Sequence, residues 1–294
     1  MTRSEVRLRT PAKVNPVLEV LQKRADGYHD LALVFQAVSL YDELILEKIP
    51  SGVEFRVEPP WPGLADDDSN LVVKAAKLFL TEVLADKGGV RIVLKKQIPL
   101  AAGLGGGSSD AAATLLGLEA LYTSGCGKEK LRDMAARLGS DVVFFLEGGT
   151  ALGTGRGEIL EPWPAGPSWN LVLVKPPEGL STPSVYRSGK AAFTDGKRAR
   201  AYQDVAHRGE PREIARSLFN GLEPAAGFLL PLVLKIRDEL VGSGALGALV
   251  SGSGPTVFGV VENAAAAQSL AQKFNRTGWT ALAAQTVTKG VEFL

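Results

Sequence analysis

The order of apolar and polar residues along the chain predicts alternating strands and helices. In the first half, alternating or continuous apolar runs predict strands, and apolar residues repeated every three or four positions predict helices. The strands predicted in this way cover residues 5–9, 14–21, 31–47 and 91–98, and the helices begin after Asn70, near Ala111 and at Glu129. Gly139 is expected to end the last of these helices.

The second half of the chain continues this mixture after a proline-rich stretch. Residues 161–167, Glu-Pro-Trp-Pro-Ala-Gly-Pro, are the predicted linker. Beyond it the pattern predicts strands at 171–175, 256–261 and 280–288, helices at 229–240 and 264–274, and a polar helical region at 187–217. We therefore expect an α+β protein with an N-terminal domain over residues 1–165 and a C-terminal domain over residues 166–294.

The composition is that of a globular protein without a dominant charge. The chain has 294 residues, is 45% hydrophobic, and carries 33 Lys+Arg against 32 Asp+Glu, for a net charge of +1. This balance argues against nucleic acid or a membrane surface as the main partner, so an anionic ligand needs a local site.

Cysteine and histidine are too scarce for a disulfide framework or a zinc site. Cys126 is the only cysteine, so no intrachain disulfide can form, and we expect a reducing, cytoplasmic setting. His29 and His207 are the only histidines, and their positions do not match zinc-ligand spacing. The charges within residues 1–5 argue against a signal peptide.

A glycine-rich loop between a predicted strand and a predicted helix is the strongest candidate for a binding site. It reads Pro-Leu-Ala-Ala-Gly-Leu-Gly-Gly-Gly-Ser-Ser-Asp-Ala-Ala, residues 99–112. Glycines let a ligand approach backbone N–H groups, and a helix N-terminus favours an anion, so a polyphosphate is the expected guest. The alternative is a tight turn between packed elements. Ser108 excludes both a P-loop and a dinucleotide fingerprint, and the absence of lysine means that the balancing charge comes from elsewhere.

Three stretches of the chain together resemble the motifs of the GHMP small-molecule kinases. They are Pro-Ala-Lys-Val-Asn at 11–15, the glycine loop, and Val-Ser-Gly-Ser-Gly-Pro-Thr at 250–256. A narrower similarity, to the branch that phosphorylates a cytidine-diphosphate sugar alcohol, rests on Arg-Ala-Asp-Gly-Tyr-His at 24–29 together with the stretches at 139–142 and 153–158. The chain departs from that pattern at Val143, where the family usually has proline, and at Gly221, where it usually has aspartate.

The resemblance implies a fold and a reaction. The implied fold is the two-domain GHMP kinase fold, with the active site in the cleft between domains. The implied reaction is ATP-dependent phosphorylation of the 2-hydroxyl of the sugar alcohol, on the non-mevalonate route to isoprenoids. We expect Mg²⁺ to be held mainly through ATP oxygens and water rather than by protein ligands. The sequence leaves the oligomeric state open.

The resemblance also implies roles for individual residues in catalysis and phosphate binding. Asp141 is the implied base, and Lys13 is its expected partner, because an unpaired lysine in an apolar segment would be costly. Asn15 lies two residues further on the same strand face and is expected to bind the substrate. The residues expected to hold the ATP phosphates are Pro99, Leu100, Ala101, Ala102, Gly103, Leu104, Gly105, Gly106, Gly107, Ser108 and Ser109. Without the resemblance, Asp141 reads as a turn or cap residue, and Lys13 as a solvated strand lysine.

A pyrimidine site is predicted from three further side chains. Tyr28 and Tyr186 are expected to enclose the cytosine, and His29 to bond its edge. The alternative is that the tyrosines are half-buried aromatics and His29 a surface residue. For the whole chain, the alternatives are a GHMP kinase for homoserine, mevalonate or a sugar, a nucleic-acid-binding module, and an inactive nucleotide sensor.

Overall fold

Two β-sheets with helices packed against them make up the chain. The computed structural model describes residues 4–276 and 278–294. Its strands are β1 (Glu5–Val14), β2 (Val17–Lys23), β3 (His29–Ile49), β4 (Gly52–Val57), β5 (Gly89–Lys95), β6 (Thr150–Gly155), β7 (Ile159–Trp163), β8 (Asn170–Lys175), β9 (Phe219–Asn220), β10 (Gly247–Val250), β11 (Val257–Val261), β12 (Thr280–Gln285) and β13 (Glu292–Phe293). Its helices are α1 (Leu71–Leu84), α2 (Gly106–Tyr122), α3 (Gly127–Leu138), α4 (Ser140–Glu147), α5 (Thr182–Arg187), α6 (Lys197–Arg208), α7 (Pro211–Ser217), α8 (Glu223–Leu229), α9 (Leu232–Gly242) and α10 (Ala264–Phe274). The α+β class predicted from the sequence is confirmed.

The long strand β3 organises the first sheet. One side of β3 pairs with β1 and β2, and the other side pairs with β5 and β6, all antiparallel. The pairing of β1 with β3 shifts register between Pro11 and Ala12. A bulge of this kind re-aims the side chains that follow it, and here the next residue is Lys13.

The second sheet has the order β10-β11-β8-β12 and is antiparallel throughout. α9 packs against β10 and β11, and α10 packs against β8 and β12. The chain beyond residue 165 also returns to the first sheet, where β9 runs parallel to β2 and β13 pairs with β1. The linker is shorter than predicted, because residues 159–163 form β7 on β6 and only 164–169 connect the two sheets. The boundary at residue 165 stays a prediction.

An apolar core joins the two sheets and fixes the cleft between them. It contains Val14 and Trp163 from the first sheet and Trp169, Leu249 and Phe258 from the second side of the chain, each no more than 7% exposed. Burial of large side chains on both sides is the dominant stabilising contribution to such a contact. This core therefore holds the two sheets together at the base of the cleft.

A local signal explains where α1 begins. Asn70 caps α1 by accepting a hydrogen bond from the backbone of Val72 at 2.8 Å. The sequence-based expectation lacks the helices α4, α5 and α8 and the strands β4, β6, β7, β9, β10 and β13, and β12 ends at Gln285 instead of residue 288. Among the residues that the structure describes, no helix is both long and apolar enough to cross a membrane.

Candidate active site

The three motifs singled out in the sequence meet at the Lys13 side chain. Lys13 is 5% exposed, and its backbone N–H donates to the Leu104 carbonyl of the glycine loop at 2.9 Å. A Cβ added to Gly105 would lie 3.1 Å from Lys13 Cγ, and one added to Gly252 would lie 3.2 Å from Lys13 Nζ. Glycine is therefore needed at both positions for the loops to close around this lysine.

The Lys13 ammonium is held between an amide and a carboxylate. Nζ donates to Asn15 Oδ1 at 2.7 Å and lies 3.6 Å from Asp141 Oδ2. Asn15 is fully buried, and its amide nitrogen donates to the Val34 carbonyl at 3.1 Å, which fixes the orientation of the amide. Burial lowers the pKa of Lys13, and the attraction of Asp141 offsets this only in part. The structure brings Lys13 and Asp141 together, and their catalytic roles stay predictions.

Asp141 lies in the first turn of α4, at the edge of the core. Gly139, in extended conformation, separates the end of α3 from the start of α4. The apolar residues that follow Asp141 are buried, so α4 is anchored while the carboxylate, 34% exposed, remains open to the cavity. A carboxylate is also favoured in the first turn of a helix. Its position fits a group that must reach a bound hydroxyl.

The glycine loop presents backbone rather than side chains to the cavity. Gly103 has φ +74°, and a Cβ added there would lie 2.2 Å from the Ser251 carbonyl, so the loop touches the second half of the chain through backbone. The Ser251 hydroxyl donates to the Gly103 carbonyl at 3.0 Å. α2 begins at Gly106, so the N–H groups of its first turn have no intrahelical partner and are free for an anion.

Ser109 is the loop residue that the structure places differently. Its side chain is fully buried, does not line the cavity, and donates to the Pro11 carbonyl at 2.6 Å. It therefore ties α2 to β1 instead of facing a ligand. The sequence could not distinguish Ser109 from Ser108, because one position along the first turn of a helix rotates a side chain from the cleft to the core.

A cavity of about 800 Å³ collects the remaining candidates. Its walls come from both halves of the chain: Lys13, Asn15, Asp141 and the loop 99–108 on one side, and Tyr186, Gly252 and Ser253 on the other. This volume is in the range of natural small-molecule sites. Every site residue named in the sequence analysis except Ser109 lines it.

One end of the cavity is aromatic. The His29 ring stacks on Tyr186 at 5.2 Å between centroids, and Phe193 lies 6.0 Å from His29 on a tilted ring. Tyr28 is 57% exposed and carries the Arg156 guanidinium over its ring at 5.1 Å. Each tyrosine therefore has one ring face already covered.

Two ionisable groups at this end have displaced pKa values. Burial, assisted by the charge of Lys23, lowers the pKa of His29 below its ordinary value, so the imidazole is neutral at pH 7. Burial raises the pKa of Tyr186, and the Asp141 carboxylate adds to this. Tyr186 therefore lies between the aromatic end of the cavity and the Asp141 carboxylate.

Three cationic residues that line the cavity were missed by sequence reasoning. They are Lys96, Arg156 and Arg187. Lys96 had a detectable signal, because Leu94, Lys96 and Ile98 alternate with exposed residues and so fall on one buried face. The arginines stand in polar loop and helix-end positions that carry no such signal.

The chain has glycine at position 221, where the family pattern usually has aspartate, and the structure gives a steric reason for this. A Cβ at this position would lie 2.7 Å from the Ala192 carbonyl, and the Gly221 carbonyl accepts the Ala192 N–H at 2.7 Å. The neighbouring Asn220 donates to the carbonyls of Val250 and Gly252 at 2.8 Å each. Glycine at 221 thus lets residues 189–196 approach β2, which brings Phe193 to His29.

The fold and the site define the class of protein, and comparison with known families agrees. Residues 70–149 match the GHMP kinases N terminal domain, and residues 203–278 match the GHMP kinases C terminal domain. A homoserine kinase from Cytophaga hutchinsonii superposes with a TM-score of 0.78 at 20% identity, covering 100% of this chain and 98% of the other, which reflects the shared fold alone. The protein is a GHMP kinase.

More similar relatives narrow the family. The 4-diphosphocytidyl-2-C-methyl-D-erythritol kinase of Pelotomaculum thermopropionicum is 44% identical over 281 residues, which are 94% of this chain and 96% of the relative. A crystal structure of a 4-(cytidine 5'-diphospho)-2C-methyl-D-erythritol kinase superposes with a TM-score of 0.81 at 38% identity, covering 95% of this chain and 98% of that one. The chain belongs to the family of 4-diphosphocytidyl-2-C-methyl-D-erythritol kinases.

Proposed function

We propose that the protein transfers the γ-phosphate of ATP to the 2-hydroxyl of 4-diphosphocytidyl-2-C-methyl-D-erythritol, a step of the non-mevalonate route to isoprenoid precursors. The observation that carries this proposal is the convergence of an ionic pair, a backbone anion cradle and an aromatic end on one cavity. The names of the relatives support the choice of substrate. The single cysteine supports the cytoplasm as its compartment.

Asp141 is the proposed base of the transfer. Its carboxylate accepts the proton of the substrate hydroxyl while that oxygen bonds to the γ-phosphorus, the bond to the β–γ bridging oxygen breaks, and ADP leaves. Lys13, 3.6 Å from Asp141 Oδ2, orients the carboxylate by charge attraction and neutralises charge around the acceptor oxygen. Asn15 holds the ammonium in place through the 2.7 Å bond to its Oδ1.

The glycine loop and the start of α2 are the proposed cradle for the ATP phosphates. Gly107 is exposed, and a Cβ at this position would meet only Leu71 at 3.8 Å, so its surroundings leave space for a ligand. The residues fit a polyphosphate, because backbone N–H groups and the helix dipole both favour negative charge there. Mg²⁺ bound to the phosphates would neutralise their charge, and we assign its ligands to ATP oxygens and water.

The aromatic end is the proposed cytosine site. The rings of Tyr28 and Tyr186 line this end and are suited to a flat base, and neutral His29 offers one donor and one acceptor to its edge. Because Tyr186 lies close to Asp141, a base stacked here directs the rest of the substrate toward the carboxylate.

Substrate choice is tested with the purified protein, ATP and a panel of acceptors. We expect ADP release with the cytidine substrate and none above background with mevalonate or homoserine. The position of the new phosphate is read by ³¹P NMR. Faster turnover with mevalonate or homoserine than with the cytidine substrate would overturn the proposed substrate but not the kinase class.

A further inference from the structure

Three buried charged side chains lie directly beneath the glycine loop and have no part in the scheme above. Lys96 follows the end of β5, Asp42 comes from the middle of β3, and Asp110 comes from the first turns of α2. Their side chains are 1%, 0% and 3% exposed. Buried charges of this kind are costly unless they are paired, so the cluster requires an explanation.

Among the residues described, each polar side-chain atom of Lys96 and Asp42 has at least one hydrogen-bond partner, whereas Asp110 has a partner on only one oxygen. Lys96 Nζ donates to Asp42 Oδ2 and to Asp110 Oδ2, the latter at 2.7 Å. Asp42 Oδ1 accepts the backbone N–H groups of Gln97 at 2.5 Å and Ile98 at 2.8 Å. Within the described residues, Asp110 Oδ1 has no hydrogen-bond partner.

The ammonium of this cluster is the group closest to the loop. A Cβ added to Gly106, the first residue of α2, would lie 2.9 Å from Lys96 Nζ, and Lys96 lines the cavity. The glycine loop itself contains no lysine. Lys96 is therefore a cation placed just behind the backbone that faces the phosphates.

The protonation of Asp110 decides whether the cluster beneath the loop is negative or neutral. With both carboxylates ionised, the cluster carries a net charge of −1 and repels a polyphosphate; with a proton on Asp110 it is neutral, and its positive end faces the loop. Burial raises the pKa of Asp110 to about 8, with the Asp42 charge adding to it and the Lys96 charge opposing it. Although burial alone would lower the pKa of Lys96, the attraction of Asp110 and Asp42 raises it, so Lys96 remains charged.

The helices α1 and α3, which pack against α2, bury only apolar residues, such as Phe79 and Met134. The other charged groups that line the cavity are Lys13 from β1, Asp141 from α4, and the arginines Arg156 and Arg187. Any pH dependence of the site therefore contains a contribution from the Lys13 pair, which the test has to separate.

We propose that Lys96 supplies the positive charge beneath the phosphate-binding loop and that Asp110 holds a proton in the nucleotide-bound enzyme, so that this charge is not cancelled. Lys96 and Asp110 are positioning residues, because they act on the phosphates through the backbone of α2. The inference rests on the proposed ATP site. Nucleotide binding is then coupled to proton uptake, and affinity falls as pH rises through the pKa of Asp110.

The test is ATP binding by calorimetry between pH 7.5 and 9.5, without acceptor substrate. The terminal phosphate, with a second pKa of about 6, is already ionised over this range. In the wild type we expect the affinity to fall about tenfold, the factor that corresponds to one pKa unit of coupling. Asp110→Asn mimics the protonated form, so at pH 7.5 it should bind ATP with the affinity of the wild type. At pH 9.5 it should bind ATP about tenfold more tightly than the wild type does. Because the variant retains Lys13 and Asp141, their titration cancels in the comparison.

Removal of the cation supplies a second measurement with a matched control. Lys96→Met should weaken ATP binding more than about tenfold, whereas Lys95→Met, which removes an exposed lysine one position away, should not. Should Lys96→Met fail to fold, the pH profiles decide. Parallel profiles for the wild type and Asp110→Asn, or unchanged ATP binding by folded Lys96→Met, would overturn the inference and leave the proposed function intact. A wild type that binds no ATP at any pH would overturn both.

Discussion

The Lys13 ammonium lies 3.6 Å from the Asp141 carboxylate at the centre of the cleft. Lys13 lies just beyond the register shift between β1 and β3, and Asp141 lies at the start of α4. The pair is asymmetric, because Lys13 is buried whereas Asp141 is one-third exposed. This asymmetry fits a fixed cation that serves a carboxylate open to substrate.

Asp141→Asn should lower kcat by about 10²–10⁴, the usual contribution of a general base. ATP affinity should change little, because the phosphate cradle is formed by the loop. The measurement is steady-state kinetics together with ATP binding by calorimetry. Near-normal turnover of a folded Asp141→Asn protein would show that the proton is accepted elsewhere.

Lys13→Met should also lower kcat strongly, because it removes the cation that is paired with the Asp141 carboxylate. The double variant Lys13→Met/Asp141→Asn should lose far less than the product of the two single losses, since residues that act as one unit are not additive. Thermal unfolding of each protein is the control for folding. Multiplicative losses would argue that the two residues act separately.

Gly107→Val tests the phosphate cradle with little strain on the fold. The side chain would enter open space near Leu71, whereas Gly105→Val would meet Phe145 at 2.8 Å in the core. We expect Gly107→Val to raise KM for ATP about tenfold or more while Tm changes by only a few degrees. Gly105→Val is the comparison and should lose stability as well. Normal ATP binding by Gly107→Val would place the phosphates elsewhere.

Tyr186→Ala should raise KM for the cytidine substrate roughly 5- to 150-fold, since stacking on a base is worth about 1–3 kcal/mol. KM for ATP should hardly change. Tyr186→Phe keeps the ring and should retain most of the affinity. If Tyr186→Ala weakens ATP and spares the cytidine substrate, the base has been assigned to the wrong end of the cavity.

The protonation of His29 should appear in the pH dependence of KM for the cytidine substrate. Its pKa is lowered by burial and by Lys23, so the neutral form dominates at pH 7 and is lost as pH falls through that lowered value. KM should therefore rise on acidification only below pH 6.5, the ordinary value for histidine. His29→Gln should have a higher KM that no longer depends on pH in this range. A wild-type KM that improves on acidification would mean that protonated His29 is the binding form.

The long elements and the class of the protein could be predicted from the sequence. α10 was predicted at residues 264–274 with the bounds that the structure has, because helical periodicity depends only on residues a few positions apart. The glycine loop could be recognised in the sequence for the same reason, since its conformation follows from its own residue types. The roles of the individual site residues stay predictions.

Tertiary structure decided which of these residues meet. α4 was missed because a short apolar run does not distinguish a helix from a strand, and its helical form depends on packing in the core. The stacking of His29 on Tyr186 joins the start of β3 to α5, from opposite halves of the chain, and the approach of residues 189–196 to Gly221 depends on a single missing Cβ. The sequence by itself determined periodicity and motif, which are local; the tertiary structure alone decided how Lys96, Asp42 and Asp110 share one buried site, because burial and pairing depend on residues far apart in the chain.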